Sequence, residues 1–256
     1  MKRICRVGLF LLGLMGLAWT VASACTIITM ARGGKVWIGN NEDWTDPRTK
    51  MWIIPACPGE YGRVVFGFEN RFIQGGINEH GLFLDANALQ PPGWKPDPAK
   101  PLFEDSFDKQ IGDYILAHCA SVADAITFFK TYSVFLDGGK FVIADAGGES
   151  ITVEWAEGQD RITRRDGTYQ VSSNIPQWNI VPGKVDDPRY NIAERSSSAA
   201  MTCLSIPCAP CSPPPTRNGL TRPSIPTSAT SGASPCISTI SIISKKRMSS
   251  ICERSY

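Results

Sequence analysis

The sequence predicts an α+β fold of antiparallel sheets with helices packed outside, and three observations predict it. A β-rich run that opens at Cys25 turns back on itself at Gly33-Gly34; further strand-like segments recur between glycine-rich turns; and two helical segments sit together between the earlier and the later strands. A chain of 256 residues with 43 % hydrophobic content has room for one sizeable core, so a single domain is expected.

The hairpin comes first: 26–30 is β-rich, Arg32-Gly33-Gly34 is a turn, and 35–39 pairs back. Further strands are expected over 63–68, 82–86, 141–144, 151–155 and 169–172. A helix is expected over about 107–119, with Ile111, Ile115 and Leu116 on one face. A second follows Ser121, whose hydroxyl and the Asp124 carboxylate make a capping-box pattern.

The first 24 residues are of another kind. Lys2, Arg3 and Arg6 give a positive start, 7–21 carry no charge, and Ala22-Ser23-Ala24 closes the run with small residues. This is the pattern of a signal peptide, spanning 1–24, whose removal leaves Cys25 first and sends the protein to the periplasm or the exterior. Two alternatives share the segment. An uncleaved anchor would need a longer apolar run than this one. A lipobox, in which Cys25 is lipidated and the protein is a membrane-tethered lipoprotein or binding protein without catalysis, usually has Leu or Val where Ala22 stands.

Of nine cysteines, Cys5 lies in the leader and Cys203, Cys208, Cys211, Cys236 and Cys252 lie in the tail, leaving Cys25, Cys57 and Cys119 in the folded part. A bridge between Cys57 and Cys119 is open, since pairing depends on geometry. The formal net charge of +2 gives no reason to expect nucleic acid as a partner. No glycine-rich phosphate loop is present, and no cofactor or metal is expected. Membrane contact is expected only transiently, during export. The spacing Cys208-x-x-Cys211 imitates a zinc half-site. The tryptophans, including Trp52 and Trp155, are either core or the lining of an acyl pocket.

From 196 to 256 the text turns to Ser, Pro, Thr and Cys without periodicity, and it does so inside a helix-like stretch that includes Tyr190, Ile192 and Glu194. A disordered tail is one reading; an out-of-frame translation is the one preferred here. If each codon's last base is read with the first two of the next, allowed codons for 216–232 yield QEWPNPTIYSNICDLR, and those for 234–256 yield PVYLYYFHNFEEAYVFDLREEL. Aromatic and polar residues mix there as in half-buried strands. A frameshift between about Arg195 and Met201 is therefore expected, leaving 25–195 as the native domain, and Cys208-x-x-Cys211 then carries no meaning.

A cysteine that becomes the first residue carries its own base. The thiolate, not the thiol, is the nucleophile, and a terminal amine with pKa of about 8 can take the thiol proton and later return it to a leaving amine. A papain-like pair with His80 or His118, the only histidines, is the competing arrangement.

The runs Cys25-Thr26, Gly39-Asn40-Asn41-Glu42-Asp43-Trp44 and Gln74-Gly75-Gly76-Ile77-Asn78-Glu79-His80-Gly81-Leu82 together resemble the linear amide C–N hydrolases, N-terminal nucleophile hydrolases that include choloylglycine hydrolases and penicillin V acylases. The likeness runs from Cys25 to about Glu194. It implies a four-layer αββα sandwich and cleavage of a linear, non-peptide amide through a thioester on Cys25. It also implies roles for Asp43 in holding the terminal amine and thiol, Asn87 in the oxyanion hole, Asn174 as a second polar residue of the site, and Arg189 in stabilising charge near the nucleophile. Bile-salt conjugates, penicillins, N-acyl amines and N-acyl homoserine lactones all remain as substrates, and the oligomeric state stays open. Many members have Arg where this chain has Asn40, which removes a positive charge from beside the thiol.

Sequencing the gene is expected to show the alternate strands one base out of frame after about residue 195. An intact frame with no such strands would refute the frameshift. Because lost strands open sheet edges, the chain as it stands is expected to fold poorly, and a soluble preparation that unfolds cooperatively would contradict that.

Overall fold

The computed structural model describes residues 25–42, 48–181, 183–203 and 237–238. Two antiparallel sheets face each other. The larger has seven strands in the order β3 (Lys50–Ile54), β4 (Arg63–Gly67), β5 (Ile73–Asn78), β6 (Phe83–Ala88), β7 (Gly139–Ala144), β8 (Ser150–Ala156) and β9 (Gln159–Arg164). The smaller has the order β10 (Tyr169–Ser172), β1 (Thr26–Arg32), β2 (Lys35–Asn41) and β11 (Ile237–Ser238). The expected layering is present: α1 (Ile111–His118) and α2 (Val122–Thr131) cover one outer face, and α3 (Pro188–Cys203) the other.

Alternation along β1 and β2 builds the seam between the sheets. Ile27, Val36 and Ile38 are buried there against Ile77, Phe83, Val142 and Ala144 of the larger sheet. The β1–β2 turn is made by Gly33 and Gly34, both at positive φ (58° and 72°), a backbone that matches the twist of a two-residue hairpin. On the far side of the larger sheet, Ile115, Leu116, Val122 and Phe129 of the two helices bury themselves against Leu82, Leu84, Ile143 and Val153. Strand β8 is buried at every position because both of its faces are covered.

Several expectations shift. The first helix starts at Ile111 rather than 107, because Asp105 Oδ1 accepts from the Ile111 N–H (3.0 Å) while Ser106 and Lys109 close a turn before it. Ser121 caps α2 as read, accepting from the Asp124 N–H at 3.2 Å. Strands β3, β5 and β9 had no clear sequence signal. In β5 the pair Gly75-Gly76 reads as a turn but serves close backbone approach: a Cβ on Gly76 would lie 2.4 Å from the Val64 carbonyl oxygen. In β9 the polar text Gln159-Asp160-Arg161 belongs to an edge strand. The third helix continues through Ser196 to Cys203, past the point where the text changes, and Ala199 and Ala200 are strong helix formers. Cys57 and Cys119 are thiols, one exposed and one buried, so no bridge joins them. Cys208 and Cys211 lie outside the described residues, as does the leader. Among the described residues no helix is long and apolar enough to cross a membrane.

Candidate active site

Cys25 immediately precedes β1, an interior strand of the smaller sheet, and is 7 % exposed. The ladders that flank β1 determine its neighbours. Continuing the pairing Thr26↔Asn41 by one step sets Cys25 across from Glu42, while the ladder to β10 ends at Ile27↔Ser172, two residues before Asn174. Residues two apart share a strand face, so Cys25 shares the seam face of Ile27.

The thiol donates to Glu42 Oε2 at 3.0 Å. The same carboxylate is held by Gln74 Nε2 on Oε2 (3.2 Å) and by Asn40 Nδ2 on Oε1 (2.8 Å). Asn40 Nδ2 also donates to Asp85 Oδ2 from the opposite sheet, while the Ala86 N–H donates to Asp85 Oδ1 at 2.7 Å. Gln74 reaches this cluster because the β4–β5 register shifts beside it, at Phe66/Gly67; such a bulge turns a side chain out of its regular alternation. Gly75 leaves the space that Asp85 needs, since a Cβ there would lie 2.9 Å from the Asp85 carboxyl carbon. Burial raises the Asp85 pKa well above the ordinary range, and the nearby Glu42 charge raises it further, so this acid holds its proton where an exposed aspartate has lost it.

Two residues beyond Asp85 on the same face of β6 lies Asn87, fully buried. Its Oδ1 accepts from Ser172 Oγ (2.6 Å), tying the sheets together, and its Nδ2 has no hydrogen-bond partner among the described residues. Asn174 is engaged on both sides, donating to the Ala88 carbonyl (2.9 Å) and accepting from Arg189 Nη1 (3.2 Å). Arg189 also grips Asp187 through Nε and Nη2, at 3.2 and 3.1 Å. Burial works against the Asp187 charge, but the Ser173 hydroxyl, two backbone N–H groups and Arg189 together hold its pKa below the usual carboxylate range.

Thus the structure joins Asn174 to Arg189, and it puts Asn87 across the seam. Asp43 lies outside the described residues. His118 sits on α1 with its Nδ1 3.1 Å from the Gly59 carbonyl, and His80 meets the Tyr61 ring edge to face, the Tyr61 N–H in turn bonding to the Ala117 carbonyl. Both histidines therefore lie on the helical side of the larger sheet, away from the sulfur. Trp52 and Trp155 belong to the helix-side core. A cavity of about 390 Å³ bounded by Lys95, Asp97, Lys100, Trp155 and Asp160 shares no residue with the Cys25 cluster.

Four residues were given no role on sequence grounds: Glu42, Asp85, Lys140 and Glu154. Glu42 lies within a quoted run, and strand alternation alone puts Glu42 with Asn40 and Asp85 with Asn87. Lys140 stands between Asn87 and Glu154 in the ladder, and all three are essentially inaccessible. Burial pushes the Lys140 pKa down to about 8, against the opposing pull of Glu154 and Asp187. Lys140 Nζ donates to the Ile175 carbonyl (2.5 Å), and Glu154 Oε1 accepts from the N–H groups of Gln177 and Trp178 (2.8 and 2.6 Å). These two charges hold the segment that follows Asn174.

No protein-family model and no characterised protein sequence matches the chain. Among solved structures, an arginine-to-leucine variant of conjugated bile acid hydrolase from Clostridium perfringens matches with a TM-score of 0.50 at 17 % identity, over 60 % of this chain and 54 % of that one. A cysteine-to-alanine mutant of the same hydrolase gives 0.49 at 16 % identity, with the same coverage. Penicillin V acylase from Agrobacterium tumefaciens gives 0.49 at 19 % identity, over 74 % of each chain. The match spans about half the length of the bile acid hydrolase structures. At these identities the likeness is one of fold.

Two outcomes are expected. Burial makes the Asp85 carboxyl hold its proton more tightly in the fold than in the unfolded chain, where it ionises above about pH 4, so the folded state binds more protons and stability falls as pH rises from there. Asp85→Asn should flatten that slope, and equal losses between pH 4.5 and 7.5 in the melting temperatures of parent and variant would contradict it. Lys140→Met, which takes the ammonium from one side of buried Glu154 and leaves Arg161 across the β8–β9 ladder, should cost about 3 kcal/mol in urea unfolding, and Lys140→Met with Glu154→Leu clearly less than the sum of the single changes.

Proposed function

We propose that the chain, processed so that Cys25 is its first residue, is a hydrolase of linear, non-peptide amides. The observation that carries this reading is the setting of the Cys25 sulfur: at the start of an interior strand, buried in the seam, hydrogen-bonded to Glu42, with a buried and unpartnered amide donor on the facing sheet at Asn87. The likeness of fold to the bile acid hydrolase variant supports it.

The α-amine of Cys25 takes the thiol proton, and the thiolate attacks the amide carbonyl. As the carbon becomes tetrahedral its oxygen gains negative charge, which Asn87 Nδ2 is free to meet; one such donor is worth about 3 kcal/mol. The tetrahedral intermediate collapses, the C–N bond breaks, and the ammonium returns its proton to the departing amine, leaving a thioester on Cys25. Water, deprotonated by the same amine, then attacks the thioester; the thiolate leaves, and the acid and the free enzyme form. Asp43 holds the amine. Arg189 and Asn174 hold the segment that follows β10. The leader directs the protein out of the cytoplasm.

The lipoprotein alternative fits this sulfur poorly, because attaching a lipid to a thiol at 7 % exposure would draw the start of β1 out of the seam.

Mass spectrometry of the purified protein should show Cys25 as an unblocked first residue. In a screen of conjugated bile salts, penicillin V, N-acyl amines and N-acyl homoserine lactones, Cys25→Ala should lower turnover of any substrate found by at least about 10³-fold. Active protein that retains its leader, or whose amine is capped, would end the reading.

A further inference from the structure

Met51 and Ile53 of β3 are 70 % and 74 % exposed, the highest values among the large apolar side chains of the described residues. Their strand neighbours Trp52 and Ile54 pack on the helix-side core, so Met51 and Ile53 show the opposite face, that of the seam. The ladder agrees: Met51 pairs with Phe66 and Ile53 with Val64, and both of these partners pack against the seam cluster. The apolar seam surface therefore continues one strand beyond the place where the smaller sheet stops covering it.

The smaller sheet stops because its outermost long strand is β2, whose outer edge, among the described residues, meets Ile237 and Ser238 alone, opposite Asn41 and Asn40. The two sheets run in parallel order across the seam. Gln170 of β10 bonds to Ser150 of β8 (2.7 Å), β1 contacts β6, and Val36 and Ile38 of β2 cluster with Ile77 of β5 and with Val64 and Phe66 of β4. A strand added outside β2, one step of about 4.8 Å further on, lies over β3 and β4.

We propose that this bare surface is the seat of strands encoded one base out of frame in the codons of residues 216–256. The codons for Ile237 and Ser238, which already reach β2, fall inside the alternate run VYLYYF, whose β-branched and aromatic residues suit a strand buried on one face. That run is long enough to follow β2 along most of its seven residues. The intervening HNFEE is a hairpin-length connection to a second run, AYVF, so a pair of strands can close over Met51 and Ile53 together. The proposal rests on the frame reading and is independent of the hydrolase reading.

Two proteins test it: this chain, and the chain in which one base inserted between the codons of Arg195 and Met201 restores the other frame. In dilute hydrogen peroxide Met51 should become sulfoxide about tenfold more slowly in the restored protein, and the β2 amides should exchange more slowly, as expected of newly buried groups. Met51→Lys should leave the melting temperature of this chain unchanged and lower that of the restored one. If this chain cannot be obtained folded, urea-unfolded restored protein provides the reference rate for Met51. Equal oxidation of Met51 in the folded and reference proteins, equal tolerance of Met51→Lys, a restored chain that does not fold, or Met51 protected in this chain by a dimer seen in gel filtration would each overturn the proposal, the last by assigning the face to a second copy.

Discussion

Everything in the structure depends on β1 being held on both edges. Its pairings to β2 and β10 sum to eleven residue pairs, so the position of Cys25 is determined from two sides before any side chain is considered. Because the side-chain period of a strand is two, burying Ile27 in the seam commits Cys25 to the same face. A one-residue slip would turn the sulfur outward and expose Ile27 together. The reactive atom is thus located by hydrophobic burial at its neighbour.

The seam is apolar at one end and polar at the other, and that gradient is the chemical content of the fold. Phe83, Asp85 and Asn87 occupy successive inward positions of β6, passing from core through a carboxyl to an amide within one strand. Leaving such groups buried is unfavourable unless they bond to one another. Most do: Asn40 bridges Glu42 and Asp85, Ser172 bonds Asn87, and Lys140 and Glu154 hold the segment after Asn174. Asn87 Nδ2 is a donor left without a partner among the described residues, and it faces the seam in which the sulfur lies. A Cβ on Gly75 or a regular β4–β5 ladder would displace Asp85 or Gln74, so even the backbone irregularities of β5 serve this cluster.

The two sheets are unequal in a way that packing alone does not favour. Among the described residues, seven strands face a sheet whose strands have seven, seven, four and two residues, and the surplus shows as the apolar side chains of β3. At the opposite edge, β9 carries Asp160, Arg161 and Arg164, the charged text of a strand meant to stay at a rim. The larger sheet thus ends in a charged edge at β9 and an apolar one at β3.

The sequence by itself determined the class of fold, the hairpin after Cys25, the cap of α2 and the residues from which a site would be drawn, because each is a matter of local alternation, turn chemistry or capping. It left β3, β5 and β9 unread, since glycines needed for backbone approach look like turns and the edge strands β3 and β9 lack the alternation of a half-buried strand. Only the tertiary structure decided that Glu42 meets the thiol, that Asp85 keeps its proton and that Lys140 is buried against Glu154. Those facts depend on which strands face each other and how deeply, and depth sets both the dielectric and the available partners.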